Sequence, residues 1–242
     1  MNRAAFYASI RPSTTLFGGV LSQSQVDGIN VILNEWDRRA LPDARWLAYM
    51  LATTFHETAR TMQPIAEVNG ELRRYAPYYG RGFVQLTWQA NYRRASTVVA
   101  VDLVASPDRA MEPAIAVKIM FSGMIEGWFT SQKLADYIHG DVCDYVNARR
   151  IINGTDRATL IAAYAVQFQR AIEAAATVQA AMPTHDQPVF VPAEPKPPPK
   201  LLPRQPDDPG PVAPAKPAPS GLFAALANIL AAIFAALFGK GH

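Results

Sequence analysis

The sequence predicts a mainly α domain of α+β type, with one small β element, followed by a proline-rich linker and a hydrophobic C-terminal helix. Three observations carry this reading. Apolar residues recur at helical spacing through most of residues 1–182. One glycine-punctuated stretch, Gly80-Arg81-Gly82, interrupts that pattern. Fourteen of the 20 prolines lie between Pro183 and Pro219. The expected units are therefore a globular domain over 1–182, a linker over 183–219 and a terminal helix over 220–242.

The first helix is expected to start at Ser22 or Ser24 and run to about Arg39. Val26, Ile29, Ile32 and Leu33 lie at helical spacing, and Leu41-Pro42 ends it. Asp43 is expected to cap a second helix to about Thr58, with Leu47, Met50, Leu51 and Thr54 on one face and Glu57 at its end. From Met62 to Tyr78 the periodicity fails, and Phe83–Thr87 reads as a short strand. Helices return after Trp88. One runs from Glu112 to Met124 with Pro113 in its first turn, a short one spans Ser131–Ile138, and a long one runs from Asp156 to about Ala181.

Residues 183–219 are rich in proline and poor in bulky apolar groups, so burial cannot offset the entropy of ordering them. An extended spacer is expected. The stretch from Leu222 to Phe238 carries no charge. On a helix its Leu, Ile and Phe residues gather on one half and its alanines, with Asn228, on the other. That pattern predicts membrane association through 220–242, spanning or inserting, with the alanine face available for self-association.

Composition narrows the function classes. Residues 1–182 hold 18 Lys and Arg against 16 Asp and Glu, too even a balance for a nucleic-acid surface. Cys143 is the only cysteine, which rules out an intramolecular disulfide. The stretch Met1–Arg11 lacks a basic start and an apolar run, so no signal peptide is expected there. The four histidines are widely separated, and Arg60 stands where a zinc protease motif would place its second histidine. No metal and no cofactor is expected.

The chemistry concentrates in His56-Glu57-Thr58, in Glu67 and in Tyr78 through Trp88, followed by Asn91-Tyr92. Here carboxylates stand beside a glycine-rich rim of aromatic and amide side chains. Cleaving a glycosidic bond needs one protonated carboxyl for the leaving oxygen and a second carboxylate to act on water or on the sugar. Aromatic faces stack on sugar rings, and amides bond their hydroxyls.

The run YYGRGFVQLTW, then NY, about 20 residues after HET, resembles glycoside hydrolase family 19. That family includes chitinases and bacteriophage endolysins. Ile151-Ile152-Asn153-Gly154 resembles a further signature of it, and MQPIAE and FSGMIEGWFT resemble its endolysin branch. The resemblance implies a lysozyme-like fold and an inverting mechanism, with Glu57 as general acid and Glu67 as general base. Glu71 competes with Glu67 for the second role. By the same resemblance Gln85, Thr87, Asn91 and Asn153 would bind substrate, while Tyr79 and Trp88 would shape the cleft. His56 would orient Glu57, and Arg81 would either touch the site or support the turn. Ala90 stands where many relatives carry an aromatic residue.

These expectations add up to an endolysin-type muramidase that cuts the β-1,4 bonds of peptidoglycan. It would be made in a host cytoplasm and act at the wall, held to membrane by its tail. Chitin is the alternative polymer. A catalytically inactive wall-binding protein is the alternative class.

Overall fold

The computed structural model describes residues 1–181. The expected linker over 183–219 and the hydrophobic helix over 220–242 lie outside these residues. Asn2 opens the chain's first helix by accepting a hydrogen bond from Ala5 N at 3.0 Å. This helix, α1 (Arg3–Ile10), buries Phe6 and Ile10 on one face and was not expected from the sequence. Ser22 then caps α2 (Gln23–Arg39), as expected. Its Oγ accepts from Gln25 N at 3.2 Å, and the Gln25 side chain accepts from Ser22 N at 2.9 Å. Both otherwise unpaired donors are satisfied reciprocally.

Asp43 caps α3 (Ala44–Glu57), also as expected. Every residue from Leu47 to Phe55 is buried, so this helix is packed on all sides rather than along one stripe. The long terminal helix α7 (Ala158–Ala181) lies along both α3 and α1. At the C-terminal end of α3, Phe55 meets Phe17, Tyr164 and Phe168 edge-on, with ring centroids 5.1, 4.8 and 6.2 Å apart. Such contacts hold the helix end two residues before Glu57, where a fully buried aromatic side chain is worth roughly 3–5 kcal/mol against alanine.

The β element differs from the expectation. β1 (Ile65–Ala66) pairs antiparallel with β2 (Arg81–Gly82), Ile65 opposite Gly82 and Ala66 opposite Arg81. The stretch expected as a strand, Phe83–Thr87, is instead a tight turn that returns Leu86 to Arg81. Positive φ at Gly82 (87°) and Gln85 (53°) bends the chain there. Phe83, Val84 and Leu86 are apolar because they are buried, not because they lie in a sheet.

After the turn come α4 (Gln89–Val99) and α5 (Pro113–Glu126), the latter with Pro113 at its start. The helix expected over Ser131–Ile138 shortens to α6 (Leu134–Tyr137). It runs into an unexpected hairpin of β3 (Ile138–His139) and β4 (Val142–Cys143). A large core joins α1, α2, α3, α7 and one side of α5. A smaller one, with Leu86, Tyr92, Leu103 and Trp128, lies between α4 and residues of α5. The β1–β2 ribbon and its turn bridge the two, since Phe83 and Val84 enter the first and Leu86 the second. Among the described residues, no helix is long and apolar enough to cross a membrane.

Gly28 shows how closely α2 approaches the segment leading into β1. A Cβ placed there would stand 1.7 Å from the Met62 carbonyl oxygen. Gln63 Nε2 also donates to Ser24 O, and Gln25 Nε2 to Arg60 O, across the same seam. Gly28→Ala is therefore expected to destabilise the domain by about 3 kcal/mol through overpacking against backbone. Chemical denaturation checks it, and an unchanged midpoint would show that the seam yields freely.

Candidate active site

Glu57 is the last residue of α3, so the packed body of that helix fixes its backbone. Beyond it Thr58 closes the end, its Oγ1 donating to Thr54 O at 2.7 Å and accepting from Met62 N at 3.1 Å. The Glu57 side chain is 15% exposed, and its Oε1 accepts a 2.5 Å hydrogen bond from Arg149 Nη1. Arg149 is only 3% exposed. It sits in a single 3₁₀ turn, Asn147–Ile151, and its Nε donates to Asp156 O at 3.0 Å. One guanidinium edge thus holds the chain before α7 while the other holds the carboxylate.

Glu67 directly follows β1, and its backbone N donates to Gly80 O at 2.7 Å. Its carboxylate takes the returning hydrogen bond from Gly80 N at 3.2 Å on Oε2. Tyr75 Oη lies 3.0 and 3.1 Å from its two oxygens, and Arg73 Nε donates to Oε1 at 2.8 Å. Burial, and then the bond to Glu67, raise the Tyr75 phenol above its ordinary value, so it stays a proton-bearing donor. Arg73 is half exposed, and that ion pair contributes at most about 1 kcal/mol. Glu71, by contrast, is exposed on the 3₁₀ turn Gly70–Leu72.

The rim residues have distinct tasks. Gln85 Nε2 donates to Ile65 O at 3.0 Å, pinning the turn to β1. Thr87 Oγ1 donates to Gln85 O at 2.8 Å, and Asn91 Nδ2 to Thr87 O at 2.9 Å. Each therefore directs a hydrogen bond into the rim's own framework. Trp88 is 47% exposed, with its ring 4.9 Å from that of Tyr75 and the Arg74 guanidinium 5.4 Å from its centroid. Tyr79 is half buried and packs so tightly on Gly70 that a Cβ there would fall 2.2 Å from its ring. Asn153 is exposed, and its backbone N donates to Arg149 O at 3.0 Å, which puts it on the Glu57 side.

Arg81, left open between site and scaffold by the sequence, is part of the scaffold. It is 3% exposed and donates to Pro77 O, Tyr79 O, Tyr92 Oη and Asp108 Oδ1. Its guanidinium also lies 3.7 Å from the Tyr79 ring centroid.

His56 is largely buried beside Glu57. Burial chiefly lowers its pKa from 6.5, with Arg149 acting the same way and Glu57 opposing. The unfolded chain then takes up the proton first as pH falls. Stability present above about pH 6.5 is lost as pH drops through that value toward the lower folded one. His56→Gln is expected to flatten the dependence of Tm on pH between about 7 and 5. An unaltered slope in that window would exclude the effect.

The structure thus gathers Glu67, Tyr75, Gln85 and Trp88 around the β1–β2 ribbon, and links Glu57 with Asn153 through Arg149. Sequence reasoning missed Arg149 and Tyr75. The only trace of Arg149 is the buried pair Ala148 and Ile151, three residues apart, that fixes the turn around it.

The protein-family model described as chitinase class I matches residues 45–169. Similar curated proteins include Chitinase 8 of Oryza sativa subsp. japonica, 43% identical over 56 residues, which are 23% of this chain and 20% of that protein. An endochitinase of Avena sativa is 29% identical over 114 residues, 47% of this chain and 54% of that protein. The matched stretches span between 16% and 54% of the four curated relatives' own length. Among solved structures, class IV chitinase of Zea mays has TM-score 0.47 at 21% identity, covering 70% of this chain and 91% of that one. Chitinase C of Streptomyces griseus HUT6037 has TM-score 0.46 at 21% identity, covering 70% and 75%.

Proposed function

The chain belongs to glycoside hydrolase family 19, the chitinase class I family, and on that premise we propose that it hydrolyses β-1,4 bonds between N-acetylhexosamines with inversion. The observation that carries this reading is the pair of separately braced carboxylates, Glu57 on Arg149 and Glu67 on Tyr75 and Gly80. Arginine only donates, so Oε1 of Glu57 remains an acceptor and the proton to be delivered sits on Oε2. That proton passes to the glycosidic oxygen as its bond to the anomeric carbon breaks. Glu67 takes a proton from a water, whose oxygen forms the new bond on the opposite face of the sugar. Inversion of this kind asks for carboxyl groups roughly 6.5–9.5 Å apart, enough for the water between them. Glu67 is the better base than Glu71, because three donors fix it whereas Glu71 stands exposed.

For the polymer we favour peptidoglycan, as an endolysin-type muramidase. The stretches MQPIAE and FSGMIEGWFT support it, and so does Arg74 over the ring of the exposed Trp88, a cation suited to an acidic wall polymer. Chitin is the second reading, favoured by the relatives' names. Reducing-end release from purified peptidoglycan and from colloidal chitin, with mass spectrometry of the products, separates them. Fragments ending in reducing N-acetylmuramic acid mean a muramidase, and release from chitin alone means a chitinase. Silence on both, with retention on cell walls, would leave a binding protein. Membrane attachment through 220–242 is likewise a proposal. Recovery of the full chain from the soluble fraction alone, with or without those residues, would remove it.

A further inference from the structure

Glu67 is gripped by the loop that it begins. The chain beyond it turns back on itself, with Gly70 N donating to Glu67 O at 3.2 Å, Arg73 N to Gly70 O at 3.1 Å and Ala76 N to Arg73 O at 2.9 Å. Those turns bring Arg73, Tyr75 and Gly80 round to the carboxylate where the loop started. An ionised carboxylate offers about four acceptor sites. Arg73 Nε takes one on Oε1, Gly80 N takes one on Oε2, and the phenol takes a third from its place between the two oxygens. One site stays open.

A general base needs one open site for water, aimed in a fixed direction. The three donors do not fix that direction equally. Arg73 is half exposed, so water competes for its guanidinium. Gly80 N lies at 3.2 Å and meets one oxygen only. Tyr75 Oη reaches both oxygens, and its ring packs 4.9 Å from that of Trp88. A group that spans both oxygens sets the rotation of the carboxylate, and with it the aim of the open site. Burial and then Glu67 raise the phenol, with Arg73 and Arg74 as the opposing charges, so it keeps its hydrogen at neutral pH.

We propose that Tyr75 is a positioning residue for the general base, its hydroxyl fixing the Glu67 carboxylate so that one acceptor site faces the attacking water. The inference rests on the reading of Glu67 as that base. Tyr75 exchanges no proton with water or sugar, and its hydrogen stays on the phenol throughout.

The experiment compares Tyr75→Phe and Tyr75→Ala in the full chain, on whichever polymer the wild type cleaves. Phenylalanine keeps the ring against Trp88 and removes the hydroxyl alone. In Tyr75→Phe kcat falls by about 10- to 100-fold, the scale on which a misplaced group is felt. KM stays near wild type, because the lost contact is not one with substrate. The acid limb of kcat against pH moves to higher pH, since a donor to the ionised base is gone. The thermal midpoint falls by at most about 4 °C, as the loss of one hydrogen bond allows. Tyr75→Ala lowers the midpoint further and adds little to the loss in kcat. Wild-type kcat and an unmoved acid limb in Tyr75→Phe, with the loss appearing only in Tyr75→Ala, would mean that the ring alone matters and would overturn the proposal. Glu67→Gln, measured beside them, keeps the two readings apart. Activity retained there removes Glu67 as the base, and the positioning role with it, whatever Tyr75→Phe does.

Discussion

Glu57→Gln lowers kcat on the cleaved polymer by roughly 10²–10⁴-fold, the range that one positioned general acid supplies. KM changes little, because the amide keeps the shape and the lost group acts only as the bond breaks. The structure adds a second consequence, absent from the sequence reading. Arg149 is 3% exposed and its Nη1 donates to Oε1 of Glu57, a bond that an amide oxygen accepts in place of the protonated carboxyl. Stability therefore changes by less than about 1 kcal/mol, with the fold retained. Steady-state kinetics well below the new Tm, beside a melting curve, separates the two effects. Full activity in a folded Glu57→Gln variant would end the mechanism.

Arg81→Met carries the largest expected effect on stability, a loss of about 3–5 kcal/mol. Four acceptors converge on that one guanidinium: two carbonyls of the rim, the Tyr92 hydroxyl and Asp108. Methionine fills the volume and satisfies none of them. For a domain of this size the midpoint falls by about 10 °C, at roughly 2–4 °C per kcal/mol. Asp108→Asn gives the contrast. Asp108 is 85% exposed, so its pairing with Arg81 is screened and the substitution changes stability by less than about 1 kcal/mol. Equal losses in the two variants would mean that the ion pair, not the convergence of neutral acceptors, is what Arg81 provides.

Helices α2 and α3 were legible because their caps and their periodicity agree, Ser22 and Asp43 each standing one residue before the first turn. Short helix α1 was not, since eight residues with two buried positions give too little pattern. The apolar run Phe83-Val84 signalled burial but not conformation, and a positive φ at Gln85 is not written in a residue type that seldom adopts it. At the site, the motif marked Glu57 and Glu67 as candidate carboxylates. Their braces were another matter. Arg149 meets Glu57 across 92 positions of sequence, a pairing that only the packing of α3 against the segment before α7 creates. Arg81 shows the opposite limit, because its place within the motif could not reveal that it points inward.

Of the four tryptophans, Trp128 is buried, Trp36 and Trp46 are half buried, and Trp88 alone is open to solvent, beside Tyr75 and under Arg74. The red edge of the protein's intrinsic fluorescence therefore belongs mainly to one indole in the rim. A glycan that settles on that ledge displaces water from it, and the emission moves to the blue as binding saturates. Trp88→Phe abolishes the shift without touching either carboxylate. Occupancy can then be followed by light in a variant that no longer turns over.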